Sequence, residues 1–382
     1  MKILVAPNAL KGSVSAVEAA ERISRGLKKS GLDAILDLMP IADGGDDTMD
    51  VLVASGGEVH EAEVLDPLRR PIRAQFALLA DGRTAVVEMA RASGLKLLKS
   101  SERNPLITTT YGTGQLIAAA IEAGAKRLIV GIGGSATNDG GVGCAQALGL
   151  RTEDSEGRSV PGEGGSLKKV RRIIMDEMLP ALDGIEIRVA CDVDNPLLGQ
   201  RGASAVFGPQ KGATPEDVRE LEANLAHFYG LLAETLGIDV RDRPGGGAAG
   251  GLGAGLMAFV HGKPRSGIDL VLEYLNFEGR LKDVNLVITA EGRMDSQTLG
   301  GKGPFGLARK AIEHGVPTIA VVGSLGDGEE QLHDAGIRTI FPIIPGPMDL
   351  TEAMETGGEL LERTATRIGR LISLARQIDL VE

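Results

Sequence analysis

The sequence predicts an α/β protein in which a five-stranded doubly wound sheet, discontinuous in the chain, carries a second, inserted α/β domain. Three observations lead there. A βα rhythm fills the first 60 residues, breaks after Gly57 and returns from Asn285. Just past the break, strand-like runs are joined by turns too tight for a parallel crossover. Two strands at the start and three at the end, each followed by helical sequence, make the five of a doubly wound sheet. The expected boundaries are residues 1–60 with 285–382 for the discontinuous α/β domain and 61–284 for the insert.

Taken in order, Lys2 to Ala6 reads as a short apolar strand and Pro7 to Val14 as a loop. Ser15-Ala16-Val17-Glu18 fits a capping box, with Glu18 placed to reach back to the cap amide. Val17, Ala20, Ile23 and Leu27 recur at helical spacing, and Gly31 can close the helix. Ala34 to Met39 is the next strand, and Asp43-Gly44-Gly45-Asp46-Asp47-Thr48 leads into a helix reaching about Ala54. Past the break, Glu61–Leu65, Arg73–Leu79 and Thr84–Met89 are strands expected to pair antiparallel through Asp66-Pro67 and Asp81-Gly82. A helix follows Thr113, with strands at Arg127–Val130 and Arg188–Cys191. Thr214-Pro215 reads as N-cap and N1 of a long helix to about Leu236. The returning rhythm comprises strands Leu286–Thr289, Thr318–Val322 and Thr339–Ile344. The helices with them begin at Pro304, near Gln331 and at Leu360.

Composition narrows the function classes. Apolar residues make up 43% of the 382 and charged residues 24%, a globular balance. The net charge of −11 argues against nucleic acid or an anionic membrane as the main partner. No apolar run approaches the ~18 residues of a membrane span, and a cytoplasmic location is expected. The two cysteines, Cys144 and Cys191, lack metal or disulfide-framework spacing. Glycine is the outlier, at 54 residues, and it clusters in loops.

Those loops carry the candidate chemistry. Lys11 follows the first strand, where open α/β sheets place ligands, and can meet a phosphate or carboxylate. Gly131 to Gly141 holds five glycines in eleven positions. With no Cβ at Gly133 and Gly134, the backbone can approach an anion, and Ser135, Thr137 and Asn138 add side-chain donors. Asp192 and Asp194 follow a strand and, in extended chain, share a face suited to Mg²⁺ or to accepting a hydroxyl proton. Phe207 to Gly212 supplies Lys211, and Thr289 to Pro304 supplies Arg293, Asp295 and Lys302. Two GxGxxG matches, from Gly245 and Gly301, do not directly follow strands, so no dinucleotide fingerprint is read. GxxxxGK[ST] is absent. The five histidines are scattered and read as structural.

Taken together, PIADGGDDT, EMARASGL, GIGGSATNDGG, ACDVDNPLLGQRGA, FGPQKGATPE, GGGAAGGLGAG and AEGRMDSQTLGGKGP resemble the bacterial glycerate kinase family of the two-domain type, over nearly the whole chain. The resemblance implies a flavodoxin-like domain with an inserted α/β domain resembling restriction endonucleases. It also implies ATP-dependent phosphorylation of D-glycerate to 2-phosphoglycerate, with Mg²⁺ as cofactor. Alternatives are a kinase of another small hydroxy acid, a 3-phosphoglycerate-forming enzyme and, more distantly, a non-catalytic binding protein on the same fold. Similar proteins often carry Asp where this chain has Asn8, and glycine where Asp47 and Ala290 stand. On that reading Gly133, Gly134, Ser135, Thr137, Asn138 and Lys302 hold nucleotide phosphates, and Lys11 and Lys211 neutralise charge. Asp192 takes the hydroxyl proton, Arg293 clamps the carboxylate, and Asp295 with Asp43 holds Mg²⁺ through water.

Overall fold

Apolar runs bounded by glycine and proline become the strands of a computed structural model that describes residues 1–45, 47–295, 303–334 and 336–379. In chain order the strands are β1 (Lys2–Val5), β2 (Ile35–Leu38), β3 (Gly57–Leu65), β4 (Pro71–Leu79), β5 (Thr84–Glu88), β6 (Arg127–Gly131) and β7 (Arg151–Glu153). They continue as β8 (Arg172–Ile174), β9 (Glu186–Ala190), β10 (Lys263–Arg265), β11 (Leu286–Met294), β12 (Thr318–Leu325) and β13 (Ile337–Pro342). The chain divides into two compact units, one of Met1–Asp43, Asp50–Ser55 and Ile268–Glu382, the other of Gly44–Met49 and Gly56–Gly267. No helix among the described residues is long and apolar enough to cross a membrane.

The first unit holds a five-stranded sheet, β13-β12-β11-β1-β2, in which every neighbouring pair is parallel. Counted within this sheet alone, the order is 2-1-3-4-5, the flavodoxin-like doubly wound arrangement, with its switch point between β1 and β11. Parallel strands are covered on both faces, so Ile3, Leu4 and Val5 are fully buried. On one face lie the helices Ala16–Lys29 and Gly357–Asp379, whose Ala19, Ile23, Leu27, Leu361, Ala365 and Ile368 meet Ile3 and Val5. A Cβ added at Gly26 would lie 2.2 Å from the Glu362 carbonyl oxygen, so only glycine lets the two helices approach this closely. The Ser15 hydroxyl accepts from the Glu18 amide as expected (3.2 Å), but the Glu18 carboxylate binds Arg22 at i+4 instead of returning to the cap. On the other face Met294, Ala308, Val322, Leu332 and Ile337 form a second cluster.

β11 is longer than its apolar run. The sequence ends the strand at Thr289, yet pairing with β12 continues to Met294 opposite Leu325. Ala290 and Met294 are fully buried on the extension. Glu291 and Arg293 are therefore strand residues that share a face.

The second unit is built on a six-stranded mixed sheet, β10-β9-β6-β5-β4-β3. β3, β4 and β5 form the expected antiparallel meander, and β5, β6, β9 and β10 run parallel. Pro71 opens β4, a position where a missing N–H is tolerated. The helix Pro215–Leu236 starts in a Thr214–Asp217 capping box and stops at left-handed Gly237. Its Leu221, Leu225, Phe228, Tyr229 and Leu232 are fully buried.

Asp47 adopts a left-handed backbone (φ 70°), a conformation that favours glycine. A side chain there costs about 1 kcal/mol, partly offset because glycine makes the unfolded chain more flexible. Asp47→Gly is expected to raise stability by about 0.5 kcal/mol. A urea midpoint that falls at unchanged slope would contradict this.

Candidate active site

Each unit presents polar groups at the carboxyl ends of its parallel strands, where open α/β sheets bind ligands. In the first unit the chain leaves β1 tethered to its neighbour, with the Asn8 amide donating to the Ala290 carbonyl at 2.9 Å. Asn8 is buried. Its Oδ1 accepts from the Ala9 amide (2.8 Å), and its Nδ2 has no hydrogen-bond partner among the described residues. The next turn carries Lys11, whose side chain is 73% exposed and lies 4.0 Å from the Asp43 carboxylate. On β11, Arg293 is 69% exposed, and its Nε donates to Asp295 at 3.0 Å. Lys11, Glu291 and Arg293 line one cavity of about 570 Å³, so the switch point between β1 and β11 opens into a space with two cations on it.

In the second unit the chain leaves β6 with Gly133 and Gly134 exposed. The Gly134 carbonyl accepts from the Leu95 amide (2.8 Å), and the Ala136 amide donates to Ser93 (3.0 Å). Gly44, left-handed at φ 85°, lies against the ends of β6 and β9. A Cβ added to it would sit 3.0 Å from the Ala190 Cβ, and one added to Gly131 would sit 3.2 Å from the Gly44 carbonyl. Just beyond β9, Asp192 is exposed, and its Oδ1 accepts the Gly267 amide at 2.9 Å. Nothing in the sequence pointed to Gly267, whose only signal is a glycine opening the helix Gly267–Tyr274.

Several expected site residues stand elsewhere than the sequence suggested. Thr137 and Asn138, read as phosphate donors, are fully buried. The chain turns into the core after Ser135. There the Thr137 hydroxyl meets the Ser135 hydroxyl (3.2 Å), and Asn138 Nδ2 donates to Ser204 (3.0 Å). Lys211, read as a free cation for substrate oxygens, is 1% exposed and donates to the Thr137 carbonyl (2.6 Å) and the Ser135 hydroxyl (3.2 Å). Loss of water pushes its amine down to about 7, a fall partly opposed by the charge of Asp139. Asp139 is itself fully buried. Burial raises its pKa against donors from Thr110 N (2.7 Å), Thr110 Oγ1 (2.8 Å), Gly141 N (3.0 Å) and Gly143 N (3.3 Å). Asp194 pairs with exposed Arg201 at 2.7 Å, and Asp192 with the Gly267 amide. Lys302 lies outside the described residues.

The inward half of the Gly131–Gly141 segment is clasped by another glycine-rich stretch. The Gly140 amide donates to the Gly250 carbonyl (3.0 Å), and Tyr229 caps the Gly140 carbonyl (2.6 Å). Gly250 is left-handed (φ 67°), and a Cβ there would fall 1.9 Å from the Thr137 carbonyl oxygen, a backbone atom that cannot step aside. Gly250→Ala is expected to destabilise the chain by about 4 kcal/mol, combining a forbidden φ with a backbone clash. Thermal unfolding measures it, and a loss under about 1 kcal/mol would show that the two glycine segments part freely.

Among the described residues, no group of three or more His, Cys, Asp or Glu could cage a metal ion. Asp43 and Asp295 each lie beside a cation, Lys11 and Arg293 respectively. Such single carboxylates suit an ion that keeps its waters and arrives with substrate phosphates.

Known proteins extend this picture. Residues 3–373 match the model of the Glycerate kinase family. The chain is 48% identical over 382 residues to a glycerate kinase of Bacillus subtilis (strain 168), covering all of both chains. It is 44% identical over 376 residues to the glycerate 2-kinase of Escherichia coli (strain K12), covering 98% of each. A crystal structure of a candidate glycerate kinase 2 from Salmonella typhimurium LT2 superposes with a TM-score of 0.91 at 42% identity, over 99% of each chain. With full-length likeness in both sequence and structure, the chain belongs to the glycerate kinase family and is an enzyme, a kinase.

Proposed function

We propose that the chain transfers the γ-phosphoryl group of ATP to D-glycerate, giving 2-phosphoglycerate, in the cytoplasm. We place the work on both compact units, the discontinuous one that ends in Ile268–Glu382 and the inserted one built on Gly56–Gly267, whose ends both fall earlier in the chain than the 61 and 284 expected from the sequence. The observation that carries the reading is the polar equipment of the strand ends, exposed glycine backbone after β6, exposed Asp192 after β9 and two exposed cations beside a cavity. Phosphoryl transfer needs positioning and neutralisation of charge rather than covalent chemistry. Lys11 and Arg293 hold anionic groups, Arg293 through its planar fork. Gly133 and Gly134 let phosphate oxygens approach backbone amides closely. Asp192 accepts or orients the substrate hydroxyl proton. Lys211 acts on the reaction through Ser135, as a support. Mg²⁺, entering with the nucleotide, neutralises phosphate charge, with Asp43 and Asp295 as the residues that would hold it through water.

The name of the Escherichia coli relative supports transfer to the 2-position. A coupled ADP-release assay across D-glycerate, L-glycerate and other hydroxy acids, with NMR of the product, tests both substrate and position. Turnover confined to another hydroxy acid would overturn the acceptor, and a 3-phosphate product would overturn the position.

A further inference from the structure

We propose that the cavity of the first unit, beside β1, β11, β12 and β13, seats the base and ribose of the nucleotide, with its phosphates at the Lys11 and Arg293 rim. This rests on the kinase reading above and names which co-substrate the cavity takes. Size comes first. About 570 Å³ lies in the usual range for ligands of nucleotide size, roughly 300–1,000 Å³, and far exceeds what a three-carbon acid fills. The lining comes second. Leu10, Ile343, Ile344, Met348, Leu350 and Met354 form an apolar wall. A small, fully hydrated acid gains nothing from such a surface, whereas a flat heteroaromatic ring buries against it and thioethers pack well on ring faces and edges.

Two further features agree. Gly292 and Gly323 also line the cavity, and their lack of side chains lets β11 and β12 and the Leu10–Lys11 turn pack closely beside it. The polar groups sit to one side, with Lys11 and Arg293 mostly exposed and Ser324 beside them. A ligand apolar at one end and polyanionic at the other matches this division. The site lies where a flavodoxin-like sheet binds its ligand, at the carboxyl ends beside the switch point. Leu350, an apolar side chain left 74% exposed among the described residues, stands on this lining.

Leu350→Glu tests the assignment without threatening the fold. Leu350 is exposed and is the first residue of the helix Leu350–Glu355, directly after its N-cap Asp349, where an acid is favoured. The full-length chain is titrated with N-methylanthraniloyl-ADP, followed by fluorescence, and KM is measured for ATP and for D-glycerate. The expected result is a loss of nucleotide affinity of about tenfold or more with a parallel rise in KM for ATP, as a carboxylate meets the ring and repels phosphate. KM for D-glycerate stays within about twofold. Unchanged nucleotide affinity, or a rise in KM for D-glycerate alone, would overturn the proposal, as would a wild-type chain that does not bind the probe. A wild-type chain that binds the probe and loses it in Leu350→Glu, yet phosphorylates no hydroxy acid, would uphold the cavity while removing the kinase reading.

Discussion

Lys211→Met is expected to lower turnover by roughly 10²-fold while changing stability in a way that depends on pH. Methionine matches the stem but removes both donors, leaving the Thr137 carbonyl and the Ser135 hydroxyl without their lysine partner. An unpaired buried acceptor costs about 1–3 kcal/mol. The same change removes an amine that burial disfavours when charged. Which effect wins depends on the proton. The amine falls from its ordinary 10.5 to about 7 in the folded chain. Below that the amine is charged in both states, and the burial penalty is present in full. From about 7 to 10.5 the unfolded chain holds a proton that the folded chain lacks, so stability rises with pH. The slope approaches roughly 1.4 kcal/mol per pH unit.

The wild-type advantage over Lys211→Met is thus small near pH 6 and grows by about 2 kcal/mol toward pH 9. Asp139, whose pKa burial raises, acts oppositely, so stability is lost as pH climbs past the ordinary carboxylate range. Urea unfolding of both proteins across that range measures the difference. Parallel curves would mean that the amine does not titrate there.

Asp192→Asn should reduce kcat by about 10²–10⁴, the usual contribution of a positioned proton acceptor. The substitution is selective for a physical reason. Asparagine keeps an oxygen to accept the Gly267 amide, so the turn after β9 retains its tether. Stability is expected to stay within about 0.5 kcal/mol, as for most exposed replacements. Near-normal turnover with the fold intact would remove Asp192 from the proton-accepting role, and a matching loss of stability would make it a structural tether instead.

Much of the fold was legible because buried parallel strands write themselves as short apolar runs. β1, β2, β12 and β13 all lie within a few residues of where hydrophobicity and glycine place them. β11 was cut short for the same reason. Glu291 and Arg293 interrupt the apolar run, and only the length of its neighbour β12 shows that pairing continues. Lys11 and Asp192 stand beyond strand ends, where sequence put them, whereas Arg293 lies inside β11 rather than in the loop expected after it. Lys211, Thr137 and Asn138 misled, because a polar glycine-rich stretch reads alike whether it wraps an anion or packs on other glycines. What separates the cases is the contact between Gly140 and Gly250, which is remote in sequence. The apolar wall of Met348, Leu350 and Met354 gave no signal, because these residues follow the last strand in a Pro345-Gly346-Pro347 segment with no strand or helix period.

The seam between Ala16–Lys29 and Gly357–Asp379, together with the pairing of Ile3 to Leu286, has a consequence for biogenesis. A ribosome releases β1 and β2 early, and those two can pair, yet the edge of β1 that later receives β11 waits for most of the chain to be made. The stretch Gly56–Gly267 emerges complete in the meantime and can mature first. Throughout that interval the newborn amino-terminal segment keeps an unpaired strand edge, and a chain that stops ahead of Leu361 would leave the face of β1 that Leu361, Ala365 and Ile368 cover open to aggregation.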